Sequence, residues 1–275
     1  MPGDPRPIGV FDSGMGGLTV LRALIARLPN EHFVYLGDTA RLPYGTKSAE
    51  TVQAYALQAT RLLIDQGVKM LVIACNTASA VALYLLQEAW EPVPVIGVIE
   101  PGARAGAAAT RNRHIAVIAT EGTVKGGAYM RAIHRLMRDA VVVQQPCQVF
   151  VALAEEGWTD SPVTLAAADR YLKSLFSGAR APDTLVLGCT HFPVLAASIR
   201  KSIGDSVALV DSAETTATAV ASALAERRLA SAPQSVGQAR FFATDSPERF
   251  ARVGEIFLGR PIDPKSVELV DLLAE

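Results

Sequence analysis

No stretch of this sequence stays apolar for the roughly 18 residues that a membrane-spanning helix needs. Its opening residues, Met1 to Pro7, lack the charged-then-apolar order of a secretory signal. Charge of one sign is missing too: 26 Lys and Arg stand against 27 Asp and Glu, for a formal net charge of −1. The densest cationic group, Arg131, Arg135 and Arg138, has helical spacing and reads as a solvated helix face rather than a nucleic-acid patch. These absences argue against membrane and nucleic-acid partners and lead us to expect a cytoplasmic protein. Cysteine is scarce: Cys75, Cys147 and Cys189 are odd in number, widely spaced and without a Cys-x-x-Cys. A disulfide framework and a thioredoxin-like redox motif are therefore not expected.

Half of the residues are hydrophobic, which is ample for a packed core. Length suggests about one or two domains. Short runs at Ile8–Phe11, Phe33–Leu36, Leu71–Ala74, Val95–Val98, Ile115–Ile118, Val141–Val143, Leu185–Leu187 and Ala208–Val210 read as strands, most of them continuously apolar as expected for burial on both faces. Between them lie helical patterns at Ser48–Gln66, Gly126–Met137, Thr164–Phe176, Glu214–Leu229 and Pro247–Phe257. Gly67 fits a helix C-cap, and Ser246-Pro247 an N-cap followed by proline at the first helical position. The alternation predicts a mainly parallel, doubly wound α/β architecture. Leu71-Val-Ile-Ala-Cys75-Asn76-Thr77 resembles Leu185-Val-Leu-Gly-Cys189-Thr190-His191, and the stretch from Ile8 resembles that from Ile115. Copies about 110 residues apart suit two similar α/β halves better than a solenoid, with a change of half near Pro92–Gly102.

In open α/β sheets ligands bind beyond the carboxyl ends of the strands. Asp12, Ser13, Asp38, Cys75, Asn76, Thr77, Thr120, Cys189, Thr190 and His191 all fall there. Two thiols, hydroxyls, an amide, an imidazole and carboxylates, near free helix N-termini, suit a small zwitterion or dicarboxylate. A lone buried cysteine is usually a small hydrophobe, and Cys147 is read so. Cys75 and Cys189 each end a strand and open a polar cluster. As a pair they fit acid–base proton transfer; a Cys2His zinc site with His191 is a remoter option. An unperturbed thiol is only about 3% ionised at neutral pH, so full ionisation needs about 2 kcal/mol from neighbours. Asp12 and His191 are candidates to supply it, although a turn or cap role for Asp12 and a structural role for His191 stay open. Asp12-Ser-Gly-Met-Gly-Gly17 lacks the third glycine of a dinucleotide fingerprint and the lysine of a phosphate-binding loop. Gly14, Gly16 and Gly17 are read as allowing a tight turn and close ligand approach. Arg41-Leu-Pro-Tyr44-Gly45 reads as a turn or a pocket wall.

At these residues the chain resembles the glutamate racemases of the aspartate/glutamate racemase superfamily. The matching motifs are Asp12-Ser-Gly-Met-Gly-Gly, Gly37-Asp-Thr, Pro43-Tyr-Gly, Ala74-Cys-Asn-Thr-Ala and Gly188-Cys-Thr-His-Phe-Pro, with similarity continuing through Phe241–Leu258. The resemblance implies racemisation of glutamate without metal or other cofactor, supplying D-glutamate for peptidoglycan. Cys75 would serve the D-isomer with help from Asp12, and Cys189 the L-isomer with help from His191 and Glu155. Ala152 and Ala154 stand where the family usually has Pro and Val, which leaves a surface-helix role open for Glu155. Asp12, Ser13, Tyr44, Gly45, Asn76, Thr77, Thr120, Thr123, Thr190 and His191 would hold the substrate. Two similar domains would flank the site, residues 1–97 plus 213–275 and residues 98–212. The oligomeric state stays open, with a homodimer one outcome. Some relatives of this kind bind DNA gyrase or respond to a cell-wall precursor through an N-terminal extension; about seven residues precede the first strand here, and no such regulation is expected. The rival readings are a racemase of the same superfamily for aspartate or another acid, a zinc hydrolase, and a non-enzymatic dicarboxylate-binding protein.

Overall fold

A computed structural model describes residues 3–272; the outermost residues of the first expected domain, 1–2 and 273–275, lie outside it. Ten strands and eleven α-helices occur among the described residues. The strands are β1 Ile8–Asp12, β2 Phe33–Gly37, β3 Met70–Ile73, β4 Val95–Gly97, β5 His114–Ala119, β6 Val141–Pro146, β7 Thr184–Gly188, β8 Ala208–Asp211, β9 Ala239–Ala243 and β10 Val267–Leu269. The helices are α1 Leu18–Arg27, α2 Ala49–Asp65, α3 Asn76–Ala89, α4 Ile99–Ala109, α5 Glu121–Gly126, α6 Ala128–Leu136, α7 Gln148–Glu155, α8 Pro162–Leu172, α9 Ala196–Ile203, α10 Ser212–Arg227 and α11 Pro247–Leu258.

Two parallel sheets result, one of six strands in the order β10-β9-β2-β1-β3-β4 and one of four in the order β6-β5-β7-β8. The four-stranded order repeats the β2-β1-β3-β4 block of the larger sheet, strand for strand. This is the structural counterpart of the internal repeat: β1 corresponds to β5 and β3 to β7. In each block the chain reverses its direction of winding between the first and third strands, β1 and β3 or β5 and β7. Such a reversal leaves a crevice at the carboxyl ends, where crossover helices depart to opposite sides. Every residue of β1, β2, β3 and β7 is buried, which explains why their sequences are unbroken apolar runs rather than alternating ones.

The helical expectations meet three departures. The pattern over Gly126–Met137 is α6 alone, Ala128–Leu136, because Gly127 takes φ +61° and separates it from α5, to which Gly126 belongs. The last stretch of Thr164–Phe176 lies beyond α8, which starts earlier, at Pro162 behind the Ser161 cap. Ser246 stands before α11 but its side chain caps nothing; it has φ +45°, and only its carbonyl joins the helix, accepting from Phe250 N–H. Ser48 does cap α2, accepting from Thr51 N–H, and Gly67 follows that helix at φ +71°. The Pro92–Gly102 stretch contains β4 and the start of α4, and α4 packs on β7 and β8. Helix α10 packs on α1 as well as on α4, so it touches elements of both sheets.

Candidate active site

The carboxyl ends of the two sheets face one cavity of about 280 Å³. Its wall includes Ser13 and Gly14 after β1, Cys75, Asn76 and Thr77 after β3, Thr120 after β5, and Cys189, Thr190 and His191 after β7. All four strands are the ones that flank a winding reversal. Tyr44 and Gly45 cover it from the loop after β2, and Gln148, Val151, Ala152 and Glu155 of α7 complete it. Gly45 packs so tightly on Thr120 that a Cβ there would lie 2.8 Å from the Thr120 Cβ.

Cys75 occupies the N-cap of α3. Its Sγ accepts a hydrogen bond from Ala78 N–H at 3.4 Å, and its thiol lies 3.5 Å from Ser13 Oγ as donor. Burial pushes this thiol up to about 12; the Asp12 charge adds to the rise, while Ser13 and Ala78 oppose it. Asp12 is fully buried beneath the wall rather than on it. Its Oδ2 accepts from Gly14 N–H at 3.0 Å, and its Oδ1 has no hydrogen-bond partner. Burial raises its carboxyl, against the opposing effects of His191 and the turn's N–H groups. The loop carries no positive φ at Gly14, Gly16 or Gly17. Gly16 is required by crowding instead: a Cβ would fall 2.4 Å from His191 Nδ1.

Cys189 has a different setting. Its Sγ lies 3.8 Å from His191 Nδ1. The opposite ring nitrogen donates to Glu155 Oε1 at 3.1 Å, and Glu155 Oε2 accepts from Arg249 at 2.8 Å. Burial alone would lower the imidazole, but Cys189 and Glu155 outweigh it and raise His191 to about 10. For Glu155 burial works upward, and His191 and Arg249 overcome it, so its carboxyl is lowered. One thiol is thus held as a neutral donor, and the other sits against an imidazolium cation.

The hydroxyls Thr77, Thr120 and Thr123 lie within 3.0 to 3.3 Å of one another. Thr123 stands behind the wall, supporting the other two. Tyr129 O–H donates to Asn76 Oδ1 at 2.8 Å, which turns the Asn76 amide N–H2, itself buried and unpartnered, into a spare donor. Tyr44 donates to Asp38, which also accepts from Arg41 and Thr244. Cys147 is fully buried and its thiol lies 3.6 Å from the Gln145 carbonyl, outside the cavity wall. Among the described residues, no group of three or more His, Cys, Asp or Glu side chains is arranged to hold a metal ion. Sequence reasoning missed Arg249, Gln148 and Val151. Arg249 lies on an amphipathic helix and carries no motif, so only tertiary contact distinguishes it.

Residues 8–220 match the family model described as Asp/Glu/Hydantoin racemase. The chain belongs to this racemase family. A curated glutamate racemase of Geobacter metallireducens is 51% identical over 254 residues, covering 92% of this chain and 93% of that relative. The crystal structure of a glutamate racemase isoform of Bacillus anthracis superposes with a TM-score of 0.92 at 38% identity, over 98% of this chain and 99% of that one. The glutamate racemase of Francisella tularensis, solved in complex with D-glutamate, gives 0.90 at 41% identity with the same coverage. The two-sheet architecture described above is therefore that of the racemase family, and no helix among the described residues is long and apolar enough to cross a membrane.

Proposed function

We propose that this racemase interconverts L- and D-glutamate by proton transfer between two thiols, and that it supplies D-glutamate for peptidoglycan. The observation that carries this reading is the pair of cysteines in equivalent positions of two repeated sheets, lining one cavity. Relatives of similar length and about 50% identity bear the glutamate racemase name, which favours glutamate over aspartate.

In the proposed cycle a thiolate removes the α-proton; the Cα–H bond breaks and an S–H bond forms. The electron pair passes into the substrate carboxylate. The facing thiol then gives its own proton to the opposite side of Cα. Free L-glutamate would meet Cys189 beside the His191 cation and Cys75 as the protonated partner. D-glutamate would need the reverse arrangement, with Asp12 taking charge as Cys75 gains or loses its proton. The orphan Asn76 N–H2 and the Thr77–Thr120 hydroxyl pair would hold the substrate's carboxylates, with Ser13, Tyr44, Gly45, Thr190 and His191 around it. An α-proton is far less acidic than a thiol, so positioned donors in a water-poor cavity must provide most of the barrier reduction. Mirror-image substrates have equal free energies in water, so the two kcat/KM values must fall together in any variant.

A cytoplasmic setting belongs to the same proposal, since the chemistry needs reduced thiols. So does the division into residues 1–97 plus 213–275 and residues 98–212. Solvent deuterium exchange at Cα of each enantiomer tests the mechanism. Racemisation should collapse in Cys75→Ser and in Cys189→Ser, with residual exchange confined to one enantiomer in each. Wild-type turnover in either variant would sink the two-thiol reading, and faster turnover of aspartate than glutamate would overturn the substrate.

A further inference from the structure

We infer that Arg249 is a positioning residue for the Cys189 face, fixing Glu155 so that Glu155 in turn fixes His191. This deepens the racemase proposal and rests on it for its kinetic arm.

The two Glu155 oxygens have separate partners, Oε1 toward His191 and Oε2 toward Arg249. A glutamate carboxylate otherwise turns freely about a broad terminal torsion. Glu155 is also the last residue of α7, and Arg249 lies in the first turn of α11. Each charge therefore sits at the end of its own helix where the backbone dipole disfavours it. Neither placement stabilises its own helix, and each relieves the other. The pair joins a helix on the six-stranded-sheet side to one on the other side, directly behind the imidazole.

Helix α11 makes a second contact with the same group. Phe257, eight residues on and so on the same general face, meets His191 edge to face at 5.0 Å between centroids. Phe250 points elsewhere, onto Tyr35 and Phe241, and Tyr35 O–H donates to Gly14 O at 2.9 Å. One helix thus braces both the Gly14 loop near Cys75 and the His191 group near Cys189. The charged groups acting on this unit are Cys189, Glu155, Arg249 and, from beneath the cavity wall, Asp12.

The Arg249 side chain is 42% exposed, so as a mere surface ion pair it would contribute little to stability. That separates the two roles. Arg249→Gln should keep the melting temperature within about 3 °C of wild type. It should lower kcat by about fivefold, the scale of a partly screened ion pair, with KM for glutamate within about twofold. With Glu155 freed to turn away, its support of the imidazolium weakens, so the His191 imidazole titration followed by NMR without substrate should move to lower pH. Loss of the arginine charge alone would move it up, and an upward shift would overturn the proposal. Arg249→Lys should recover most of each effect. In a double-mutant cycle with Glu155→Gln, Arg249→Gln should add almost nothing, because the arginine acts through the glutamate. A wild-type His191 titration in Arg249→Gln, or losses that multiply in the double variant, would overturn the proposal. If the wild-type protein failed to racemise glutamate, the functional reading would fall, while the substrate-free titration would still decide the role of Arg249.

Discussion

Gly16 is the residue with the least freedom in the site. Its φ is ordinary, so its need for glycine comes from the imidazole and the Thr190 hydroxyl, each about 2.5 Å from where a Cβ would stand. Gly16→Ala should push His191 off Cys189 and cost roughly 100-fold in kcat, the usual penalty of a misplacement near 1 Å. Circular dichroism should show a folded protein; near-wild-type turnover would contradict the crowding argument. The sequence invited a reading of this glycine as room for a ligand, and the structure assigns the room to the opposite half of the protein instead. Tyr129 offers a gentler probe. Removing its hydroxyl in Tyr129→Phe frees the Asn76 amide to flip, so KM for glutamate should rise a few-fold while the fold persists, since one neutral hydrogen bond is worth about 1 kcal/mol. An unchanged KM would show that Asn76 is held without it.

At the scale of elements, the parallel strands were the most legible part of the sequence, because burial on both faces leaves an unbroken apolar run. Strands β9 and β10 escaped notice. Strand β9 mixes exposed Arg240 with buried Phe241 and Phe242, and β10 has three residues, with only Val267 buried. Helix α3 was hidden because its N-cap is the functional Cys75 rather than a conventional capping residue. The helix that matters most beyond the motifs is α11. Phe250 is fully buried against Tyr35 and Phe241, so Phe250→Ala should destabilise by about 3–5 kcal/mol. Because the same helix carries Arg249 and Phe257, this variant should also lose activity below its unfolding transition. A variant that loses stability yet keeps full kcat would show that α11 does not brace the site.

For the whole molecule, the buried ionisable groups set how stability responds to pH. The folded-state His191 is raised from 6.5 to about 10. Its contribution is complete below pH 6.5 and is lost as pH climbs towards 10. Cys75 is raised from 9.0 to about 12, so the unfolded chain gives up that proton first and gains further ground between those values. Each group contributes a slope of about 1.4 kcal/mol per pH unit within its window. On the acid side the lowered Glu155 adds stability that is present above its ordinary value of 4.5 and lost as pH falls below it. Denaturant midpoints should therefore drop steadily from pH 7 to pH 10, and His191→Gln should flatten that drop. A midpoint independent of pH over this range would refute the assignment of a buried cation at His191.

Local information was enough for much of this: apolar runs of strand length, glycines at turns, and two cysteines each ending a strand before polar residues are all properties of neighbouring positions. The repeat of Leu71–Thr77 at Leu185–His191 already implied equivalent places in two halves. Only the tertiary structure decided that the halves turn the same ends toward one cavity, that Asp12 lies beneath the wall with an unpartnered oxygen, and that Arg249 reaches Glu155 from α11. Those facts depend on contacts between residues some 94 positions apart, and on burial that makes one thiol a held acid while an imidazolium faces the other. Periodicity and spacing carry no record of such long-range pairings, because each depends on how packed elements exclude water around a few charges.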